Sequence, residues 1–106
     1  MADSSWRTQA LDELCDAFAG LHDREEVARF LRDLCTLSEI EAMAHRLQAA
    51  RLLTSGLPYA AVAEKAGTST TTVTRVAHWL RHGEGGYALA LDRLDGAPAQ
   101  AGDEPA

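Results

Sequence analysis

Apolar residues recur every three or four positions along most of the chain, which is the spacing of an α-helix with one buried face. No segment alternates apolar and polar residues between turn residues, as a half-buried strand would. Glycine, proline and capping residues divide the pattern into six parts. We therefore predict an all-α fold with helices at about 6–19, 23–34, 36–56, 58–66, 69–81 and 87–94.

Capping motifs support two of these helices. Asp23 is followed three residues later by Glu26, and Thr36 is followed by Glu39. In such a capping box, each of the two side chains accepts a hydrogen bond from a backbone N–H at the start of the helix. The third helix is predicted to turn the following residues inward: Ile40, Met43, Ala44, Leu47, Ala50 and Leu53.

The length of 106 residues fits one domain, predicted over residues 1–95. Residues 96–106 contain no large apolar side chain, so we predict a disordered tail there. Cys15 and Cys35 lie among apolar neighbours without metal-ligand spacing, and we expect both to be reduced core residues. No signal-like start or membrane-length apolar run occurs, which favours a cytoplasmic protein that does not contact membranes.

The first two helices and the sixth carry more apolar surface than a chain this small is expected to cover alone. Small helical domains often gain stability by oligomerising. We therefore expect a homodimer in which the subunits exchange helices. A self-contained monomeric bundle is the alternative.

Residues 59–81 have the pattern of a helix-turn-helix, in which two helices cross steeply at a tight turn. A small residue, Ala63, stands where the second helix must pass closely, and Gly67 follows at a position that favours a left-handed backbone. The remaining contacts would come from apolar residues on both helices: Val62, Ala66, Val73 and Val76.

Hydroxyl side chains crowd the start of the second helix of this motif: Thr68, Ser69, Thr70, Thr71, Thr72 and Thr74. Threonine is a mediocre helix former, so these residues do not favour the helix itself. Hydroxyls do suit phosphate oxygens and base edges, and the threonine methyl suits the thymine methyl. We predict that this end of the helix enters the major groove of DNA, although Ser69 is also a candidate helix cap.

Three further side chains of the motif are candidate phosphate contacts: Tyr59, Lys65 and Arg81. Tyr59 could instead be a half-buried packing residue, and the two cations could simply be solvated. The chain has a net charge of −6, which by itself argues against a polyanionic partner. Residues 58–82 reverse that sign, because Glu64 is the one acid there against Lys65, Arg75 and Arg81.

Three runs resemble the Trp repressor superfamily, and within it the YerC/YecD branch: DLCTLSEIEAMAHRLQAARLL, YAAVAEKAGTSTTTVTRV and GGYALALDRL. The resemblance covers roughly residues 31–93. It implies a six-helix subunit in an intertwined homodimer, a palindromic double-stranded DNA site and half-sites about one helical turn apart. It also implies transcriptional regulation, as a repressor associated with the nucleoid.

The resemblance further implies an effector pocket formed by Thr36, Arg46 and Arg75, the residue types that hold tryptophan in the sensing members. Here Val76 and Trp79 stand where those members have a glycine and a serine. We therefore expect L-tryptophan to fit badly. Either Trp79 fills the indole space or the cavity takes another small molecule. Alternatively, the two arginines only form salt bridges to Glu39, Glu41 or the other subunit. No cofactor is expected.

The sequence fits two other functions less well. An enzyme would need a nucleophile–base pair, a metal-ligand set or a glycine-rich phosphate loop, and the histidines and carboxylates here show no such spacing. The stronger alternative is a helix-turn-helix-shaped protein-interaction module without sequence-specific DNA binding. That module would need an apolar patch where this chain has threonines.

Overall fold

The computed structural model describes residues 5–96, and within them the chain forms six α-helices and no strand, which confirms the all-α prediction. The helices are α1 (Gln9–Ala19), α2 (Arg24–Leu34), α3 (Leu37–Thr54), α4 (Tyr59–Ala66), α5 (Thr70–His82) and α6 (Gly86–Gly96). The chain divides into two compact units between Ile40 and Glu41. No helix in the described part is long and apolar enough to cross a membrane.

Side-chain caps set the starts of the first three helices. The backbone N–H of Leu11 donates to Thr8 Oγ1 (3.0 Å), so α1 begins at Gln9 and not at residue 6 as predicted. Asp23 caps α2 as expected, by accepting from the backbone N–H of Glu26. The predicted box at the start of α3 forms in both directions, between Thr36 and Glu39.

The first unit has little interior of its own. Phe18 and Phe30 meet edge to face at 5.1 Å between ring centroids, yet α1 and α2 contain no buried residue. Cys15 is exposed and Cys35 is half-buried, both as free thiols, so the prediction that both are core residues is wrong. Helical periodicity identifies an apolar face but not whether enough neighbouring surface covers it.

The second unit contains the hydrophobic core, which consists almost wholly of small side chains. Alanine and valine let the helices approach closely, since neither residue extends far from the backbone. The cluster of buried residues is Ala49, Ala50, Val62, Ala63, Ala66, Val73, Val76 and Leu91.

The inward face predicted for α3 is only partly correct. Ala50 is fully buried, and Ile40 and Leu53 are half-buried. Ala44 is exposed, and Met43 and Leu47 are each 36 % exposed. Large apolar residues are therefore left uncovered on the longest helix.

Two glycines fix the ends of α4 and α5 for different reasons. Gly67 adopts a left-handed conformation (φ 70°, ψ 36°), and the following N–H, of Thr68, donates to the carbonyl of Ala63 at 3.0 Å. Gly83 has an ordinary φ, but a Cβ there would lie 2.6 Å from the carbonyl oxygen of Trp79. The first glycine is required by backbone conformation and the second by lack of space.

The sixth helix is longer than predicted and includes residues 95 and 96. Its Asp95 pairs with Arg51 of α3 at 2.5 Å, and Leu91 is its one buried residue among those described. The disordered tail predicted for residues 96–106 otherwise lies outside the described residues and stays a prediction.

We predict that Gly67→Ala and Gly83→Ala each lower the free energy of unfolding. A left-handed alanine costs roughly 1–2 kcal/mol, and relieving the contact at position 83 requires the backbone to shift, at a cost of about 1–3 kcal/mol. Thermal unfolding followed by circular dichroism measures both. Gly86→Ala is the matched control, because its Cβ would meet open space. Equal melting temperatures for all three variants would contradict this explanation.

Candidate nucleic-acid interface

The tight packing of α4 against α5 positions the candidate interface. Val62 of α4 and Val73 of α5 are completely buried, Val76 is 1 % exposed, and Ala63 is 7 % exposed. These are the contact points that the sequence predicted for a helix-turn-helix. Because the inner faces of α4 and α5 are packed together, the opposite face of α5 and its first turn are directed to solvent.

The hydroxyls at the start of α5 divide into two groups. Ser69 Oγ accepts from the backbone N–H of Thr72 and donates to Thr72 Oγ1, both at 3.1 Å. Thr74 Oγ1 donates to the backbone carbonyl of Thr70 at 3.0 Å. Ser69 is therefore the helix cap that the sequence suggested as its alternative role, and the hydroxyls of Thr72 and Thr74 are already engaged.

Thr70 and Thr71 remain available. Both are exposed, and no hydrogen bond in the described chain uses either hydroxyl. The first turn of α5 contains no acidic residue, so the partial positive charge of the helix N-terminus is not neutralised there. Thr68 is half-buried in the turn itself. This end of α5 thus presents hydrogen-bonding groups without negative charge.

The three candidate phosphate contacts are exposed on the same two helices. Lys65 lies in the last turn of α4. Tyr59 begins that helix and is 36 % exposed, while Arg81 lies in the last turn of α5. Arg81 Nη2 donates to the phenol oxygen of Tyr59 at 3.4 Å, a contact between residues 22 positions apart that sequence reasoning missed.

Four of the five predicted pocket residues line one cavity of about 330 Å³: Arg46, Arg75, Val76 and Trp79. Thr72 and Tyr87 complete its lining, and sequence reasoning did not assign them to it. Thr36 does not line this cavity; it belongs to the other unit, where it caps α3. Trp79 is 57 % exposed, so in this chain it borders the cavity without filling it.

The two arginines of the cavity have no anionic partner in the described residues. The ion pairs of residues 5–96 join Arg7 to Asp12 and Arg51 to Asp95, and neither involves Arg46 or Arg75. Among the described residues no ion pair joins either arginine to Glu41, and a bridge to the other subunit stays a prediction. The cavity combines two guanidinium groups with aromatic rings.

The fold and the packing of α4 on α5 define a helix-turn-helix protein. The sequence matches the Trp repressor protein family over residues 9–95, and the chain belongs to that family. Membership indicates a DNA-binding regulator. A relative in Bacillus subtilis (strain 168), the uncharacterized protein YerC, is 42 % identical over 88 residues, which cover 83 % of this chain and 85 % of YerC.

Two solved structures agree with this assignment. A protein from Staphylococcus aureus described as a candidate Trp repressor is 41 % identical, with a TM-score of 0.82 over 90 % of this chain and 95 % of its own. A TrpR-like protein from Eubacterium eligens ATCC 27750 is 35 % identical, with a TM-score of 0.82 over 88 % of this chain and 96 % of its own. The fold predicted from the resemblance is thereby confirmed.

We predict that Ser69→Ala lowers the free energy of unfolding by about 1 kcal/mol, because it removes the cap of α5. Thr71→Ala is the matched control: its exposed hydroxyl makes no bond in the described chain, and its loss is expected to leave stability nearly unchanged. Urea denaturation of both variants tests this. A Thr71→Ala variant that is as destabilised as Ser69→Ala would show that the two hydroxyls are not divided as described.

Proposed function

We propose that this protein is a sequence-specific transcriptional repressor that binds a palindromic double-stranded DNA site as a homodimer. Its place of action would be the nucleoid in the cytoplasm. The first turn of α5 would enter the major groove, and Tyr59, Lys65 and Arg81 would contact phosphates. The proposal assigns no catalytic step to any residue.

One observation carries the proposal: Thr70 and Thr71 are exposed at the start of α5, where the first turn has no acidic residue, and no hydrogen bond in the described chain uses their hydroxyls. A hydroxyl can donate to or accept from a base edge, and the adjacent methyl group matches the thymine methyl. The same surface does not favour a protein-interaction module, because the large apolar patch that such a module needs is not found at this turn.

Charge supports the same orientation. The segment from Pro58 to His82 has more basic than acidic residues, whereas the whole chain has a net charge of −6. In the bound state this segment would face the phosphates. With few phosphate contacts, base contacts supply a larger share of the binding free energy, as a sequence-specific regulator requires.

The uncovered apolar side chains support a homodimer. Besides Tyr59 and Trp79, seven large apolar residues are each more than one third exposed among the described residues, which is unusual for a small monomeric protein: Trp6, Leu34, Leu37, Met43, Leu47, Leu89 and Leu94. These residues occur in both units of the chain. A second copy would cover them and would also present two α5 helices to one DNA duplex.

The cavity beside α5 supports a small-molecule effector. Arg46 and Arg75 have no carboxylate partner in the described chain, so an anionic group is the complementary ligand. The apolar part of that ligand would lie against Trp79 and Tyr87. Thr36 remains a proposed contributor, although it does not line the cavity described for this chain.

Selection of bound duplexes from a random DNA pool tests the proposed function. We expect enrichment of one site with dyad symmetry. Thr70→Val and Thr71→Val keep the shape of each side chain but remove its hydroxyl, and a lost base contact costs about 1–3 kcal/mol. Each is therefore expected to weaken binding to the selected site by about tenfold or more, measured by fluorescence anisotropy.

The control for this selection is Ser38→Ala, which removes an exposed hydroxyl from α3 outside the helix-turn-helix. It is expected to bind the selected site as the unmodified protein does. A pool with no enriched sequence, or an enriched site without symmetry, would contradict the proposed dimeric repressor.

We predict that L-tryptophan does not bind at micromolar concentrations in isothermal titration calorimetry. Val76 is packed into the core and Trp79 projects beside the two arginines, so the space for a second indole is reduced. Trp79→Ser removes the larger of these two side chains, at an exposed position, and serves as the comparison variant in the same titration. Micromolar binding by the unmodified protein would show that these two residues do not exclude tryptophan.

A further inference from the structure

Tyr59 and Arg81 lie at the outer ends of the two helices of the motif, yet their side chains meet. Arg81 Nη2 is 3.4 Å from the phenol oxygen of Tyr59 and donates to it. The hydrogen bond is long, and both residues are exposed. Such a contact adds little to folding stability, since water can replace either partner. The buried valines already hold α4 against α5.

The hydrogen bond from Arg81 to Tyr59 determines which groups these two residues can bind. Because the phenol oxygen accepts from Arg81, the phenol proton is free to point elsewhere. A guanidinium carries five N–H donors, and this bond uses one of them. No carboxylate competes for these donors among the described residues: the first turn of α4 has no acidic residue, and Arg81 forms no ion pair there. The pair therefore presents hydrogen-bond donors and one positive charge.

The groove beside the pair has the same character. It has a volume of about 420 Å³, and Arg81 is the one charged residue among those that line it. The other lining residues are apolar except for Thr54 and Tyr59. No carboxylate lies in the groove to repel an anion, so an anionic oxygen is the acceptor that fits the pair.

We propose that Tyr59 and Arg81 together bind a single DNA phosphate, an inference that rests on the proposed DNA binding. The two donor atoms are 3.4 Å apart, so the oxygens of one phosphate group could lie within hydrogen-bond distance of both, roughly 2.7–3.2 Å. Arg81 both contacts that phosphate and orients the phenol of Tyr59. The start of α4 and the end of α5 are thereby fixed to the same point on the DNA backbone.

Sharing one phosphate has a measurable consequence, which is coupling between the two residues. If each bound its own phosphate, the losses caused by the two substitutions would multiply. With a shared phosphate, removal of one partner already disturbs the contact of the other, so the double variant loses less than the product. The effect must also be independent of base sequence, because phosphate contacts position the protein and do not specify bases.

The test measures DNA affinity for Tyr59→Phe, Arg81→Gln and the double variant by fluorescence anisotropy at several salt concentrations. The probes are a selected duplex and an unrelated duplex of equal length. Each single substitution is expected to weaken binding about tenfold on both probes, and the double variant far less than a hundredfold. Arg81→Gln should reduce the salt slope by about 0.9, whereas Tyr59→Phe should not change it.

Two further variants complete the design. Arg93→Gln removes an exposed arginine of α6 outside the motif, and it should change neither the affinity nor the salt slope. Arg81→Lys keeps the charge but loses the planar donor group, so it should retain the salt slope while its coupling to Tyr59→Phe disappears. Arg81→Lys also decides the question if melting curves show that Arg81→Gln does not fold.

The outcomes separate this inference from the proposed function. The shared phosphate contact would be overturned if the losses of DNA affinity multiply in the double variant. It would also be overturned if the Tyr59→Phe protein binds DNA as tightly as the unmodified one. Sequence-selective binding by the unmodified protein would then still support the repressor. If the unmodified protein binds neither duplex, both the repressor and the shared phosphate are overturned.

Discussion

Close contact between α4 and α5 is the constraint on which the rest of the site depends. Valine and alanine fill the space between the two helices, and Gly67 lets the chain reverse within three residues. Larger side chains at Val62 or Ala63 would separate the helices and tilt α5. Every outward side chain of α5 would then move with it. The direction of the hydroxyl-bearing turn is thus determined by apolar packing on the opposite side of the same helix.

The polar residues of this turn have two separate tasks, although their side chains are chemically alike. Ser69 satisfies a backbone N–H that would otherwise lack a partner at the start of α5, and Thr74 donates to the backbone one turn back. Thr70 and Thr71 lie between them with hydroxyls that make no bond in the described chain. Local helix chemistry consequently occupies some hydroxyls and leaves adjacent ones for a partner.

The sequence predicted the features that depend on neighbours along the chain. The caps at Asp23, Thr36 and Ser69 and the left-handed Gly67 each follow from residues within four positions, and the structure contains all of them. Two contacts between residues far apart in the sequence were not predicted. The contact of Tyr59 with Arg81 spans 22 positions, and Tyr87 reaches the cavity from a different helix.

The inward face predicted for α3 was only partly correct for a related reason, because periodicity cannot distinguish a face covered within one chain from a face left open.

The lack of space at Gly83 limits which residues that position accepts. A Cβ there would lie 2.6 Å from the carbonyl oxygen of Trp79, so any residue other than glycine requires the backbone at the end of α5 to shift. Sequence variation in α5 is therefore expected before this junction and not at Gly83 itself.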